Sequence, residues 1–403
     1  MVDILAAPQQ AKTDSALRTL TGISVAHWLS HFHMLVLPML FPFLKERLGV
    51  GYVELGVALT VFGVVSAVIQ APLGYLVDHA GARKILLLGL CIGGMGLILL
   101  GIHLSYANLI ICGVLLGIAN GVYHPADYAI LSAHTDEARM GRAFGIHTFA
   151  GYLGFAVAPA LVAALVTVGG GQAALIACGA LGPLIALLLI VLAVPDARAQ
   201  REDSGEYKSQ GGVITPALMV LTAFFTLLGL STAGISNFGV VALMGGYGAT
   251  FSIANMALTA YLGASAVGVL VGGYLADHTQ RHGQVAAVCF AANGIIVAVV
   301  AYVTLPAITL VATMTLGGFL SGMIAPSRDM LVRNAAPADA AGRAFGIVST
   351  GFNFAAMASP LLFGWIMDQN MPHWVFGLSA AFMIVTVVLT PFTEPRKAKA
   401  PQP

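Results

Sequence analysis

The sequence predicts an all-α membrane protein with 12 transmembrane helices, arranged as two pseudo-symmetric six-helix bundles. Hydrophobic residues make up 58% of the chain and charged residues only 9%, with a mean hydropathy of +0.90. Ordinary soluble domains contain about 25% charged residues. Apolar stretches long enough to cross a hydrocarbon core of about 30 Å recur along the chain. The two halves of the sequence also resemble each other, which predicts one duplicated unit.

The duplication is visible as a repeated hexapeptide, Gly-Arg-Ala-Phe-Gly-Ile, at Gly141–Ile146 and again at Gly342–Ile347. The prolines on either side repeat at the same spacing: Pro125 with Pro326, and Pro159 with Pro360. Every offset is 201 residues in a chain of 403. Internal repeats of this size are typical of membrane transport folds.

Twelve apolar stretches are expected to span the membrane, with a polar segment between the sixth and the seventh. The first six lie near residues 20–44, 52–77, 84–103, 106–132, 143–168 and 172–194. The second six lie near residues 214–243, 250–275, 284–304, 307–331, 344–367 and 373–392. This pattern predicts an N-terminal bundle in residues 1–194, a linker in 195–213, and a C-terminal bundle with a short tail in 214–403.

The placement of lysine and arginine predicts the orientation. Most of the 18 basic residues fall in the termini, in the linker and in the loops after even-numbered spans. Cytoplasmic loops of membrane proteins carry this excess of positive charge. We therefore expect a multi-pass protein of the inner (plasma) membrane with both termini and the linker in the cytoplasm.

A glycine- and aspartate-containing loop follows the second span, and a more divergent copy follows the eighth. Its residues are Gly74, Asp78, Gly81 and Arg83 in the first copy, and Gly273 and Asp277 in the second. This pattern resembles the loop signature of the major facilitator superfamily, although His79 replaces the usual first basic residue. The resemblance implies the fold described above and a cytoplasmic latch that holds one conformation and releases it in the other.

The fifth span is similar to the antiporter signature of the same superfamily. Gly145 and Gly154 precede Pro159 at the expected spacing, with Ala158 in place of the usual glycine. The second half keeps the spacing up to Pro360 with small residues substituted. A proline inside a helix removes one backbone hydrogen bond and bends the helix. The motif favours export, and two duplicated packing kinks without any directional meaning remain the alternative.

Ionisable residues within spans are functional candidates, because a charge at the bilayer centre costs at least ~2.5 kcal/mol. The fourth span carries Tyr123, His124 and Asp127, and the tenth carries Arg328 and Asp329. Asp127 and Arg328 occupy equivalent places in the two halves, so they are candidates for an ion pair that couples proton movement to substrate binding. The run Tyr123-His-Pro-Ala-Asp127 also resembles the fosmidomycin-resistance branch of the superfamily.

The first span contains His27 and His31 four residues apart, on one face of a helix. Histidine titrates near neutral pH, which makes this pair a candidate for proton exchange. A structural role in hydrogen bonding between helices is the alternative. The same spacing suits a transition metal, but no carboxylate or cysteine lies nearby in the sequence, so we expect no metal.

Together these features predict a secondary active transporter that moves a small solute by alternating access. We expect proton coupling and favour efflux of a drug or metabolite over proton-coupled uptake of an organic acid. A non-transporting receptor or sensor is the alternative from another class. We expect no enzymatic activity and no cofactor. The expected partners are a small-molecule substrate, protons and the lipid bilayer, without nucleic acid, and the protein is expected to be a monomer.

Overall fold

The computed structural model describes residues 6–197, 215–336 and 341–392, without the side chains of residues 6–15, 138, 341 and 342. The predicted linker (195–213) lies outside the described residues from 198 to 213, and so does the predicted tail from 393 onward. Every regular element in the described ranges is helical. The prediction of an all-α protein is therefore confirmed.

The chain divides into two compact units, residues 1–205 and 206–403. The helices of the first unit are α1 (Ala6–Met39), α2 (Phe41–Leu48), α3 (Tyr52–Ala80), α4 (Ala82–Ile102), α5 (Tyr106–His134) and α6 (Met140–Val191). Those of the second unit are α7 (Pro216–Ala233), α8 (Gly239–Tyr247), α9 (Phe251–Asp277), α10 (His282–Tyr302), α11 (Ala307–Ala335), α12 (Ala341–Asp368) and α13 (His373–Leu389). A π-helical turn (Gly234–Phe238) joins α7 to α8.

Ten of the described helical segments are long and apolar enough to cross a membrane. The count rises to eleven if α1 and α2, which meet at a bend of 48°, form one span. Helix α6 runs for 52 residues but is interrupted at Gly170, whose backbone angles (φ 75°, ψ 176°) are not helical. The chain is an integral membrane protein.

The helix boundaries follow ordinary capping rules. The side-chain oxygens of Ser105, Thr215 and Thr250 each accept a hydrogen bond from a backbone N–H in the first turn of α5, α7 and α9. Gly49 and Gly248 end α2 and α8 in the left-handed conformation that glycine adopts without strain. One boundary differs clearly from expectation: α1 begins at Ala6, well before the apolar stretch predicted from residue 20.

The first unit is held together by four close helix pairings: α1 with α6, α3 with α5, and α4 with both α5 and α6. Glycines allow backbones to approach each other at these crossings. A Cβ atom on Gly113 would lie 2.6 Å from the carbonyl oxygen of Ala58, and one on Gly117 would lie 2.8 Å from that of Phe62. Small residues at such crossings are what permits tight packing in lipid, where no hydrophobic force drives helices together.

The second unit repeats this pattern. Helix α7 packs on α12, α9 on α11, and α10 on α11 and α13. Glycines again lie at the closest crossing: a Cβ on Gly268 would collide with the carbonyl oxygen of Phe319, and one on Gly318 with that of Tyr261. In each unit the first span therefore packs against the fifth, and the second against the fourth.

Gly154 on α6 provides a direct test of the α1–α6 packing. A Cβ atom there would collide with the carbonyl oxygen of Trp28 and lie 3.1 Å from the backbone nitrogen of Phe32. Overpacking against backbone costs about 1–3 kcal/mol, which exceeds the ~0.5–1 kcal/mol that alanine gains over glycine in a helix. We therefore expect Gly154→Ala to lower the thermal unfolding midpoint of the purified protein.

Gly145, nine residues earlier on the same helix, is the matched control. It is exposed, and a Cβ there meets no atom within 4 Å. The variant Gly145→Ala should leave the midpoint unchanged or raise it. Equal midpoints for the two variants would contradict the close α1–α6 approach.

Candidate functional site

The carboxylate of Asp127 lies in the C-terminal third of α5 and is completely buried. Its Oδ2 atom is 3.5 Å from Nδ1 of His27 on α1 and 3.7 Å from Nε2 of His147 on α6. Both distances are longer than a hydrogen bond. Neither carboxylate oxygen has a hydrogen-bond partner among the described residues. A buried carboxylate without such partners is costly unless a cation neutralises it.

The ring of His27 contacts three other imidazole rings beside this carboxylate. We call the five residues the histidine–aspartate cluster: His27, His31, His124, Asp127 and His147. His27 is at its centre. Its ring centroid lies 3.8 Å from that of His147 in a stacked arrangement, 4.6 Å from that of His31 and 5.3 Å from that of His124. His27, Asp127 and His147 are buried, whereas His31 and His124 are partly exposed.

The cluster forms because three membrane helices cross at one level of the first unit. His27 and His31 are one turn apart on α1, and α6 passes close to them at Gly151. A Cβ atom on Gly151 would lie 2.8 Å from Nε2 of His27 and 3.0 Å from Cε1 of His31. The absence of a side chain at Gly151 is therefore what allows both rings to lie between α1 and α6.

His33 and Tyr123 are not part of the cluster, and their environments differ. His33 points to another part of the unit, where its Nε2 donates a hydrogen bond of 3.0 Å to the carbonyl oxygen of Cys178. That contact joins α1 to the second half of α6 and is structural. Tyr123, one turn before Asp127, is buried, and its hydroxyl group has no hydrogen-bond partner among the described residues.

In the second unit, Arg328 on α11 pairs with its neighbour Asp329. Its Nε and Nη2 atoms lie 2.9 Å and 2.8 Å from Oδ1 of Asp329. The guanidinium group also lies over two aromatic rings, 4.8 Å from the centroid of Phe225 on α7 and 5.3 Å from that of Phe352 on α12. The Arg328 side chain is 14% exposed, and that of Asp329 is 47% exposed.

Asp127 and Arg328 occupy equivalent places within their own units. Each lies on the fourth span of its own unit and contacts residues of the first and fifth spans of that unit. The offset of 201 residues that relates Asp127 to Arg328 also relates Gly151, beside His27, to Phe352, beside Arg328. At these equivalent places, the first unit therefore has a carboxylate beside imidazole rings, and the second unit has a guanidinium group beside aromatic rings.

The sequence predicts most of these residues but not His147. The fold brings together His27, His31, His124 and Asp127, which are far apart in sequence. His147 follows the repeated hexapeptide directly, where the second copy has Val348. An ionisable residue that replaces an apolar one beside the best-matched segment of the repeat was a signal for it.

Three ligand atoms of the cluster could hold a metal ion: Nδ1 of His27, Oδ2 of Asp127 and Nε2 of His147 all lie within 4.8 Å of one another. In the sequence, the objection to a metal is that no carboxylate lies near the histidines of the first span. The fold removes that objection, because it places the carboxylate of Asp127 directly beside His27.

The predicted latch loop adopts a sharp turn at Gly81, whose φ of 98° suits glycine. Asp196 caps the N-terminus of α4, the helix after Gly81: its Oδ1 accepts a hydrogen bond of 2.9 Å from the backbone N–H of Arg83. Ala82 donates to the carbonyl oxygen of Ala197, and His134 to that of Asp196, each at 2.9 Å. The segment after α6 is thus docked onto the predicted latch.

The other motif residues divide into two groups. Within the described part of the chain, a Cβ atom on Gly74, Gly145 or Gly273 would meet no atom within 4 Å. Asp78 is exposed, and Asp277 ends α9. In contrast, Gly154 packs closely against the backbone of α1. The motif prolines are buried within helices, Pro159 in α6 and Pro360 in α12.

The cap on α4 generates a stability prediction. Replacing a capping aspartate by alanine typically costs ~1 kcal/mol, so Asp196→Ala should lower the thermal midpoint of the purified protein. Asp78→Ala, an exposed substitution in the same loop region, should change stability by less than about 0.5 kcal/mol. A larger loss for Asp78→Ala than for Asp196→Ala would show that Asp78 is the structural carboxylate.

Comparisons with known proteins agree with this architecture. The model of the Major Facilitator Superfamily matches residues 23–245 and 219–403. The fosmidomycin resistance protein of Escherichia coli is 23% identical over 68% of this chain and 69% of its own length. A probable sulfoacetate transporter, SauU, of Cupriavidus necator is 25% identical over 88% of both chains.

Solved structures with the same fold include a bacterial homolog of the human lysosomal transporter Spinster and the nucleoside transporter NupG. The Spinster homolog has a TM-score of 0.74 at 15% identity and covers 93% of this chain and 95% of its own. NupG has the same TM-score and identity and covers 94% of this chain and 99% of its own. The predicted superfamily is therefore confirmed: the chain belongs to the Major Facilitator Superfamily of membrane transporters.

Proposed function

We propose that this protein is a proton-coupled secondary active transporter that exports a small drug-like molecule or metabolite by alternating access. The observation that carries the proposal is the buried carboxylate of Asp127, which membrane-spanning helices surround with imidazoles. In a transporter family, such a group gives the protein a place to bind a mobile cation during each cycle. Protons are the mobile cation that both sides of a cell membrane always supply.

In this proposal the chain crosses the membrane twelve times. The bent pair α1–α2 counts as one span, and α6 counts as two, because it is about 78 Å long at about 1.5 Å per residue and is interrupted at Gly170. One bundle then comprises residues 1–194 and the other 214–403, joined by a linker in 195–213. Basic residues in the termini and the linker favour a cytoplasmic location for both ends in an inner membrane.

The coupling mechanism follows from the charge of the cluster. The ionised form of the Asp127 carboxylate is unfavourable in this desolvated position unless a positive charge is adjacent. A proton taken up by Asp127 or by a histidine of α1 removes that penalty. Because His31 and His124 are partly exposed while His27 and Asp127 are buried, the cluster offers a short path from the surface of the unit to the carboxylate. Tyr123 supplies a further hydroxyl group next to it.

Arg328 is the proposed contact for a polar or anionic group of the cargo. Asp329 and the rings of Phe225 and Phe352 fix its guanidinium plane. A planar guanidinium held in this way can offer two parallel N–H groups to a carboxylate or a similar anion.

Export is favoured over uptake by the antiporter-like spacing of Gly145, Gly154 and Pro159, and by relatives named for resistance and for multidrug export. Uptake of an organic acid is the second candidate. The anion-compatible position of Arg328 favours it, as does the relative named as a probable sulfoacetate transporter. Flux measured in both directions across the membrane distinguishes the two.

The remaining motif residues complete the proposal. Gly74, Asp78, Gly81 and Arg83 act as a cytoplasmic latch, with Gly273 and Asp277 as the second copy, while Pro159 and Pro360 shape the helices that move. The transporter works as a monomer in the bilayer, without a cofactor, a catalytic step or nucleic acid. A non-transporting receptor with this fold would bind ligand but fail to exchange it across a liposome membrane.

The central residue is tested by Asp127→Asn in proteoliposomes. A thermal-shift screen of organic acids and antibiotics on the purified protein first identifies a ligand. We expect the variant to lose accumulation driven by a pH gradient, because asparagine cannot exchange a proton, while counterflow of labelled ligand continues. Glu46→Gln, which neutralises an exposed carboxylate on α2, is the matched control. Full uphill transport by Asp127→Asn would refute the proposed role.

Arg328 is tested by comparing Arg328→Gln with Arg333→Gln, which removes an exposed arginine later on the same helix. Loss of a charge-assisted hydrogen bond worth about 1.5–3 kcal/mol predicts that Arg328→Gln weakens binding of an anionic ligand roughly 10- to 150-fold. Arg333→Gln should leave affinity unchanged. Unaltered affinity in the Arg328 variant would show that this side chain does not contact the cargo.

A further inference from the structure

The histidine–aspartate cluster has more ligand atoms than proton binding requires. Nδ1 of His27, both oxygens of Asp127, and both ring nitrogens of His147 are buried and lack a hydrogen-bond partner among the described residues. Buried polar atoms normally find partners. Three of these atoms, one from each of three helices, lie within 4.8 Å of one another: Nδ1 of His27, Oδ2 of Asp127 and Nε2 of His147. Such an arrangement suits a positively charged ligand.

We propose that His27, Asp127 and His147 bind a divalent transition-metal ion, such as Zn²⁺ or Co²⁺, within the membrane-spanning part of the first unit. Nδ1 of His27, Oδ2 of Asp127 and Nε2 of His147 are its three protein ligands. No motif that the sequence analysis recognised assigns a metal to this position. The site goes beyond proton coupling because it binds a different class of cation.

The separations between the ligand atoms fit this assignment. Zinc lies about 2.0–2.1 Å from imidazole nitrogen and carboxylate oxygen in tetrahedral sites. Two ligands of such a tetrahedron are then roughly 3.3 Å apart. The distances from Oδ2 of Asp127 to the two imidazole nitrogens are 3.5 Å and 3.7 Å. These two distances are too long for hydrogen bonds and close to the separation of two ligands in such a tetrahedron. The third pair, Nδ1 of His27 and Nε2 of His147, lies within 4.8 Å.

The chemistry of the donors selects the class of ion. Two imidazoles and one carboxylate suit zinc, cobalt and nickel, whereas magnesium and calcium prefer oxygen ligands alone. A doubly charged ion would also neutralise the buried carboxylate. The other two histidines of the cluster pack around His27 and help to fix its ring, as outer-shell groups do at metal sites.

Three protein ligands leave one position of a tetrahedron open for water or for a group of the cargo. The neighbouring side chains His31 and His124 are partly exposed, which gives an ion a route to the buried ligands. The metal and the transported proton would use the same carboxylate, so the role of the metal in the cycle rests on the proposed function. Binding itself does not, because it can be measured in detergent without any transport.

The test is a titration of tag-free, metal-stripped protein in detergent with Co²⁺, followed by visible absorption. We expect one ion per chain and the intense absorption of tetrahedral Co²⁺. X-ray absorption at the cobalt edge should show a nitrogen and oxygen shell with scattering from two imidazoles. Absence of stoichiometric binding, or a shell without imidazole, would overturn the proposal.

Variants identify the ligands. His147→Gln and Asp127→Asn should each weaken Co²⁺ binding by more than the roughly 10- to 100-fold that loss of an outer-shell partner costs. His103→Gln removes an exposed histidine outside the cluster and should bind as the unaltered protein does. Unchanged binding in both ligand variants would exclude this site. If either variant fails to fold, the X-ray absorption shell of the unaltered protein still decides the question.

Transport assays separate this inference from the proposed function. If the protein transports its cargo against a gradient but binds no Co²⁺, the metal site is wrong and the transport proposal stands. If Co²⁺ binds with two imidazoles but Asp127→Asn still transports uphill, the metal site stands and the proposed role of Asp127 in transport is wrong. When both are right, added Zn²⁺ should inhibit gradient-driven transport at concentrations that fill the site.

Discussion

The buried carboxylate of Asp127 is the constraint on which this account depends. Helices that cross a membrane normally exclude charge, because a carboxylate loses its hydration there. Around Asp127, the described part of the chain places two imidazoles just beyond hydrogen-bonding distance, and two more imidazoles pack beside them. Imidazole is neutral or charged according to its proton, so the balance of charge at this point changes when a cation arrives or leaves.

Duplication explains how a second, different site arose on the same framework. Both units pair the first span with the fifth and the second with the fourth. At the equivalent place the second unit has Arg328, which Asp329 neutralises and two phenylalanine rings cover. Its charge is therefore permanent and is balanced locally, whereas the proposed role of Asp127 is to bind a mobile cation. The shared packing is thus compatible with our proposal that one half binds cations and the other binds an anionic group.

The sequence was sufficient for the membrane-spanning helices and the superfamily, because hydropathy and the loop signature are local properties. It also identified Asp127 and His27, since ionisable residues are conspicuous in apolar stretches. It could not predict that His147 stacks on His27, because that contact depends on how closely α1 and α6 pack at Gly151. Asp196 was missed as a helix cap for a similar reason: in sequence it is one more charge in a polar segment. The sequence also could not distinguish a packed glycine such as Gly154 from an exposed one such as Gly145, because both leave the same spacing in the chain.

Proton release on metal binding tests the central claim most directly. Metal ligands must give up their protons, so metal binding releases protons from a site that holds them. Purified protein in weak buffer with a pH-indicator dye would be titrated with Co²⁺, and Asp127→Asn would be treated in the same way. The account predicts proton release that saturates at one ion per chain in the unaltered protein and is lost in the variant. Equal release from both proteins, or none from either, would contradict a cation site at Asp127.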